Sequence, residues 1–307
     1  MTQEHQESIL IYDQIGANRR RTFLLMFLFF LVVSGASTAI GIVMGLPPGA
    51  SPIVIVFVVL FAAFSYFGSD RVALSVAGAH PVTEEEEREL FRVVENLSIG
   101  AGLPMPKVYV IEDGAMNAFA TGRDPQHASV AITRGLMEKL EYRELEGVMA
   151  HELSHVANRD TLVTGTTVVL VGILALLSDL ALRMTFYGAG SRNSYRDKNS
   201  KGGAIILVLA LAAAILAPIA AKVISLAVSR QREYLADASG ALLTRYPEGL
   251  ASALEKMRGD TDSLDAATKA TEHLYFVNPL SDHKSALNDM FSTHPPIDER
   301  IRLLRAM

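Results

Sequence analysis

The sequence predicts an α+β membrane protein, mainly helical, with four apolar membrane segments and a cytosolic part that carries a small β-sheet. Three observations predict it. Half of the 307 residues are hydrophobic, and the excess gathers in blocks separated by polar stretches, the pattern of bilayer segments joined to a soluble part. Short β-branched stretches stand between Gly- and Pro-rich breaks over residues 100–133, which reads as strands and turns. The run Met149–Asn158 contains His-Glu-x-x-His within a helical pattern.

Composition narrows the function classes. A formal net charge of −5 speaks against a nucleic-acid partner. The chain has no cysteine, so it has no disulfide, no thiolate ligand and no Cys nucleophile. Trp is also absent, and any interfacial aromatic belt falls to Tyr and Phe.

Residues 1–21 form a polar cytosolic tail that ends in Arg19-Arg20-Arg21, and Thr22 to Met44 is then almost purely apolar. A secretory signal would have a shorter apolar core and a small-residue cleavage site. This run is long enough to span a bilayer, for which roughly 20 residues are needed. The arginines place the N-terminus in the cytoplasm. After the turn at Leu46–Ser51, Pro52 to Phe67 is a second apolar run, extendable into Gly68 and Ser69. Residues 22–69 are thus expected to form a transmembrane hairpin.

Residues 70–160 read as a cytosolic catalytic part. Thr83 and Glu86 form a capping-box pattern, followed by Leu90, Val93, Val94 and Leu97 at helical spacing. Gly100, Gly102, Pro104 and Pro106 stop that helix. Lys107 to Ile111, Met116 to Thr121 and His127 to Thr133 read as strands. Helix resumes around Leu136 and leads into the His-Glu-x-x-His run. A second membrane hairpin is expected over residues 161–221, with apolar runs at 161–178 and 204–221 and a polar loop at 182–202. That loop holds Arg183, Arg192, Arg196, Lys198 and Lys201 against Asp197. Four full spans would put it outside, against the positive-inside bias; a shallow re-entrant hairpin would keep it in the cytoplasm. Residues 222–307 read as a second cytosolic catalytic part. In it, Ser229–Asp237 continues a helix outward, Pro247 to Met257 is a short helix, and Pro296 to Leu304 is an amphipathic one.

Positions four apart share a helical face, so His151 and His155 can aim imidazole nitrogens at one ion. Glu152 lies beside that face, where it can take a proton from an attacking water. This is a zinc hydrolase pattern, two ligands and a base from one helical turn; the bland alternative is a solvated helix. At about 1.5 Å per residue, His155 lies about 9 Å along the helix from the following apolar run, so the site would sit near the membrane surface. A third ligand must come from elsewhere. Glu233 is favoured by position, since it and His155 both stand just beyond apolar runs that can pair as antiparallel helices. Asp237, four residues on, could orient a ligand histidine from behind. From spacing alone, both carboxylates could equally be surface charge paired with Arg230 or Arg232.

The His-Glu-Leu-Ser-His run with Asn158-Arg159-Asp160, and Ser229-Arg230-Gln231-Arg232-Glu233-Tyr234-Leu235-Ala236-Asp237, resemble the HtpX-like membrane zinc endopeptidases, whose wider family includes the CAAX prenyl proteases. The resemblance extends to Asn117–Gly122 and to Ser292-Thr293-His294-Pro295-Pro296. Four apolar runs rather than seven favour the HtpX branch. The resemblance implies a gluzincin, zincin-type domain on the cytoplasmic side of a bacterial plasma (inner) membrane, in a multi-pass protein that degrades misfolded membrane proteins in quality control. It implies His151, His155 and Glu233 as ligands of one Zn2+ per chain, Glu152 as catalytic base and Asp237 as the partner of a ligand histidine. His294 is the candidate oxyanion donor; its alternative is a turn histidine that caps the last helix. Asn117, Ala118, Phe119 and Ala120 resemble the substrate-binding edge strand of thermolysin-like enzymes, with a half-buried structural strand as the alternative. Expected partners are the lipid bilayer and unfolded or misfolded membrane proteins. Two other functions stay open: a silent zinc-stabilised membrane scaffold, which would need no Glu152, and a zinc hydrolase of a non-peptide substrate.

Overall fold

The computed structural model describes residues 16, 18, 20–28, 30, 31, 34, 51–171, 230–260, 262 and 295–307. Within them the chain is mainly helical, with one small mixed sheet. The described positions between 16 and 34 are helical. They are followed by α1 (Ser51–Val76), β1 (His80–Pro81), α2 (Arg88–Ala101), β2 (Lys107–Ile111), β3 (Ala118–Thr121), β4 (Ser129–Thr133), α3 (Arg134–Lys139) and α4 (Tyr142–Ala157). Residues 160–171 are again helical, and α5 (Arg230–Thr244), α6 (Pro247–Gly259) and α7 (Ile297–Leu304) complete the order.

The second apolar run does not close near Ser69. It continues as helix through Asp70 and Arg71 to Val76, because Ala73, Leu74 and Ala77 pack against the sheet beside Phe119, Ala131 and Val168. No helix among the described residues is long and apolar enough to cross a membrane. Much of the first apolar run, the third beyond residue 171, the polar loop 182–202 and the fourth run at 204–221 lie outside the described residues.

The strands lie in the order β1-β2-β4-β3. β2 and β4 are parallel, with Lys107 opposite Ser129 and Ile111 opposite Thr133, and β3 runs antiparallel to β4 on the outer edge. Side chains alternate across the strand. Ala118 and Ala120 face the larger core with Leu153 and Val156 of α4, while Phe119 faces the smaller one. Both faces are covered, so β3 and β4 are buried along their length.

Strand ends differ from expectation because side chains claim the backbone first. Met116 N–H donates to Asp260 (2.7 Å) and Asn117 N–H to the Thr133 hydroxyl (2.9 Å), so β3 begins only at Ala118. His127 N–H donates to Asp124 at 3.0 Å, which closes a 3-10 turn over Pro125–His127 and delays β4 to Ser129. At Thr83 the hydroxyl donates to the Glu86 carboxylate at 3.0 Å, and the Thr83 N–H reaches it at 2.8 Å. Glu86 is thus folded back onto Thr83 outside the helix, which starts at Arg88 rather than just after Thr83.

The helix that carries His-Glu-x-x-His also differs at both ends. α4 starts afresh at Tyr142, after a break at Leu140–Glu141, under a capping box between Glu141 and Glu144. It stops at Ala157 instead of running on into the apolar segment. Asn158 caps it, and Arg159 adopts a left-handed φ of 59°, a conformation uncommon for a residue with a side chain. The chain turns there and starts a new helix at residue 160.

Two glycines let other helices approach α4 closely. A Cβ on Gly240 of α5 would stand 3.0 Å from the His151 nitrogen, and one on Gly147 would stand 2.7 Å from the Leu250 nitrogen of α6. The first contact brings α5 against the middle of α4, antiparallel to it, so Glu233 and Asp237 lie level with the two histidines.

Candidate metal centre

The His-Glu-x-x-His face of α4 points at α5. His151 Nε2 and His155 Nε2 stand 3.1 Å apart. Glu233 places one carboxylate oxygen 3.6 Å from His151 Nε2 and the other 3.7 Å from His155 Nε2. One ligand atom from each of the three residues fits within a group where all separations are at most 4.8 Å. A tetrahedral ion bound at about 2.0–2.1 Å holds its donors about 3.4 Å apart, so this set fits a single ion.

Each imidazole is held from behind by a carboxylate. His151 Nδ1 is 2.9 Å from Asp237, and His155 Nδ1 is 2.9 Å from Asp160. An ionised carboxylate only accepts, so each Nδ1 carries a hydrogen and each Nε2 is turned to the centre. Burial alone would lower the pKa of His155, but the Asp160 hydrogen bond and the charges of Glu233, Asp160 and Glu152 outweigh it and push it up to about 9. The pocket therefore attracts positive charge, as a cation site must.

Asp237 is braced in turn by Arg300 of α7, whose Nε and Nη2 donate to its two oxygens at 2.8 and 2.7 Å. Arg300 is almost fully enclosed and also stands 4.0 Å from Glu233. Burial would raise the Asp237 carboxyl, but Arg300 and His151 hold it down at about 2.

Glu152 is buried on the adjoining face, towards β3. Burial raises its pKa, against the pull of both histidines and of the Ala120 N–H, which donates to its carboxylate. Outer-edge amides of β3 thus have partners on this side: Ala120 meets Glu152, and Ala118 donates to the Asn117 side chain at 3.0 Å. Asn117, Ala118, Phe119 and Ala120 are all buried, with Phe119 in the core of the far face. His294 and the Ser292-Thr293 segment before it lie outside the described residues.

The structure brings His151, His155 and Glu233 to one point and sets Asp237 behind His151. It also supplies two groups that motif reading passed over, Asp160 and Arg300. Residues 84–307 match peptidase family M48. The chain belongs to that family. M48 is a metallopeptidase family, and the protein is accordingly a protease of the metallo type. A protease HtpX homolog of Tropheryma whipplei (strain Twist) is 44% identical over 302 residues, covering 97% of this chain and 99% of that one. The protease HtpX homolog of Thermoanaerobacter pseudethanolicus is 42% identical over 301 residues, 97% and 98% of the two chains. The crystal structure of S. mikatae Ste24p is similar at 21% identity and a TM-score of 0.49, over 91% of this chain and 62% of that one.

Proposed function

We propose that this M48 protease is a zinc-dependent integral-membrane endopeptidase. It holds one zinc ion per chain and cleaves unfolded or misfolded membrane proteins at the cytoplasmic face of a bacterial inner membrane. The convergence of His151, His155 and Glu233, with Glu152 buried alongside, carries this assignment. His151, His155 and Glu233 would hold the ion. When bound, it supplies a Lewis acid that polarises the scissile carbonyl and makes water more acidic. Glu152 takes a proton from the attacking water and later delivers it to the leaving amine. The Ala120 amide fixes its carboxylate for that exchange, and Asp237 and Asp160 keep both Nε2 lone pairs aimed at the centre. A scaffold that only stored zinc would have no use for a buried carboxylate at this place.

The edge position of β3 beside Glu152 supports it as the strand on which an extended substrate docks, through the backbone carbonyls of that edge, since the Ala118 and Ala120 amides are engaged by Asn117 and Glu152. Such docking reads backbone rather than sequence, which suits unfolded clients. Purified in detergent, the protein is expected to cleave casein, to stop when a chelator strips the metal, and to recover with added zinc. Cleavage that survives metal removal would sink the assignment.

Large apolar side chains support the bilayer as a partner. Phe23, Leu24, Phe27 and Leu31 near the N-terminus, and Val56, Val59, Leu60, Phe64 and Phe67 on α1, stand exposed. Exposure to water costs about 25 cal/mol per Å² of such surface, and patches of this kind mark membrane or protein contacts. Arg19-Arg20-Arg21 support a cytoplasmic N-terminus. Since the chain has no cysteine, single cysteines report topology directly. One replacing Ser51 should react with an impermeant reagent from outside the cell, and one replacing Ser263 should not. Outside labelling at Ser263 would overturn the proposed orientation.

A further inference from the structure

Asp160, which orients His155, is itself held by a residue from the far end of the chain. Asn18 Nδ2 donates to Asp160 Oδ1 at 2.7 Å and to the Asn158 carbonyl at 3.0 Å, across 142 and 140 residues of sequence. The other Asp160 oxygen accepts from His155 Nδ1 at 2.9 Å. The second cation-bearing contact, Arg232 Nη1, lies only at 3.5 Å from Asp160 Oδ1. Asn18 therefore supplies the short hydrogen bond on that side of the carboxylate. It also ties down the cap of α4, one residue before the left-handed turn at Arg159 that swings Asp160 back towards His155.

Asn18 is fully buried, and its own Oδ1 has no hydrogen-bond partner among the described residues. An orphaned buried acceptor is unfavourable, whereas an apolar residue would pack there without one. Simple helix packing does not account for an amide at this place; a need for its two donors does.

We infer that Asn18 is a positioning residue of the metal centre, acting through Asp160 to fix His155, so that the N-terminal segment is a working part of the site. This rests on the zinc-site assignment above. Asn18 touches no ligand atom. It limits the rotation of the Asp160 carboxylate, and with it the orientation of the His155 ring. Loss of an outer hydrogen-bonding partner of a metal ligand lowers affinity by roughly 10–100-fold; Asn18 stands one step further out, so an effect of about tenfold is expected.

The test measures zinc release from the full-length protein in detergent, in the presence of excess chromogenic chelator, with the melting temperature of the metal-stripped protein alongside. Asn18→Ala should release zinc about tenfold faster than wild type. Asn18→Asp keeps the shape but turns a carboxylate towards Asp160, and should release zinc faster still; it decides the matter if the alanine variant does not fold. In an Asp160→Ala background, Asn18→Ala should have no further effect on release, as expected for groups that act in series. Release at the wild-type rate in Asn18→Asp, or the same acceleration with Asp160 absent, would overturn the inference. A wild-type protein that holds no zinc would instead overturn the metal assignment, so the two failures are distinct.

Discussion

Glu152→Gln is expected to lower kcat/KM for peptide hydrolysis by about 10²–10⁴-fold, the share of rate that a positioned acid–base group supplies. The same variant should keep the zinc content of wild type. Gln has the shape of Glu, can still accept the Ala120 amide hydrogen, and removes no donor atom from the group formed by His151, His155 and Glu233. What it loses is the ability to take a proton from water and pass it on. The melting temperature should not fall, because a buried carboxylate is itself unfavourable and an amide is less so. Wild-type protein is expected to nick itself during purification, and the variant is not. Metal analysis, kinetics on an unstructured peptide and thermal melting together decide the point. Full activity in Glu152→Gln would remove Glu152 from its role; lost zinc would show that it shapes the site rather than serving as its base.

The parts of this site legible in the sequence are the local ones. His151 and His155 lie four apart, and helical periodicity alone puts them on one face. Glu233 and Asp237 needed the resemblance, because nothing in their spacing separates a site carboxylate from one paired on a helix surface. Their placement depends on Gly240, whose missing side chain lets α5 approach His151. Asp160 was hidden for a geometric reason. Five residues beyond His155 on an unbroken helix, it would stand about 140° around the axis; only the left-handed turn at Arg159 brings it back. Arg300 reads as one more charge on a short amphipathic helix, yet α7 turns it inward onto Asp237. Asn18 is too remote in sequence for any pattern to connect it with the site. The strand interiors followed alternation, whereas their ends were set by Asp124, Thr133 and Asp260, which bond particular amides. β1, two residues long, is too short to carry a period at all.

Glu233→Ala should reduce bound zinc as far as His155→Ala does, since each removes one of three donors from a group sized for one ion. If Glu233→Ala retains zinc, the third ligand lies elsewhere and the pairing of α4 with α5 does not serve the metal. The carboxylates behind the histidines should behave differently from the ligands and from each other. Asp237→Asn and Asp160→Asn should each weaken zinc binding by roughly 10–100-fold, as expected when the group that orients a ligand imidazole is altered. Their effects on stability should diverge. Asp237 is the bidentate partner of Arg300, which is buried at 1% exposure. Taking the charge from one side of a buried pair leaves the other uncompensated, at a cost of up to about 3–5 kcal/mol. The cationic partners of Asp160 are Arg232, at 3.5 Å, and His155, an imidazole that can shed its proton as Arg300 cannot, so its neutralisation strands less charge. The melting temperature of the metal-stripped protein, which removes zinc binding from the comparison, should therefore fall clearly in Asp237→Asn and much less in Asp160→Asn. Equal losses in the two would mean that Arg300 finds its compensation in Glu233, 4.0 Å away, rather than in Asp237. In that case Arg300→Lys, which cannot bridge both carboxylates with a planar fork, should lower zinc affinity more than either aspartate variant.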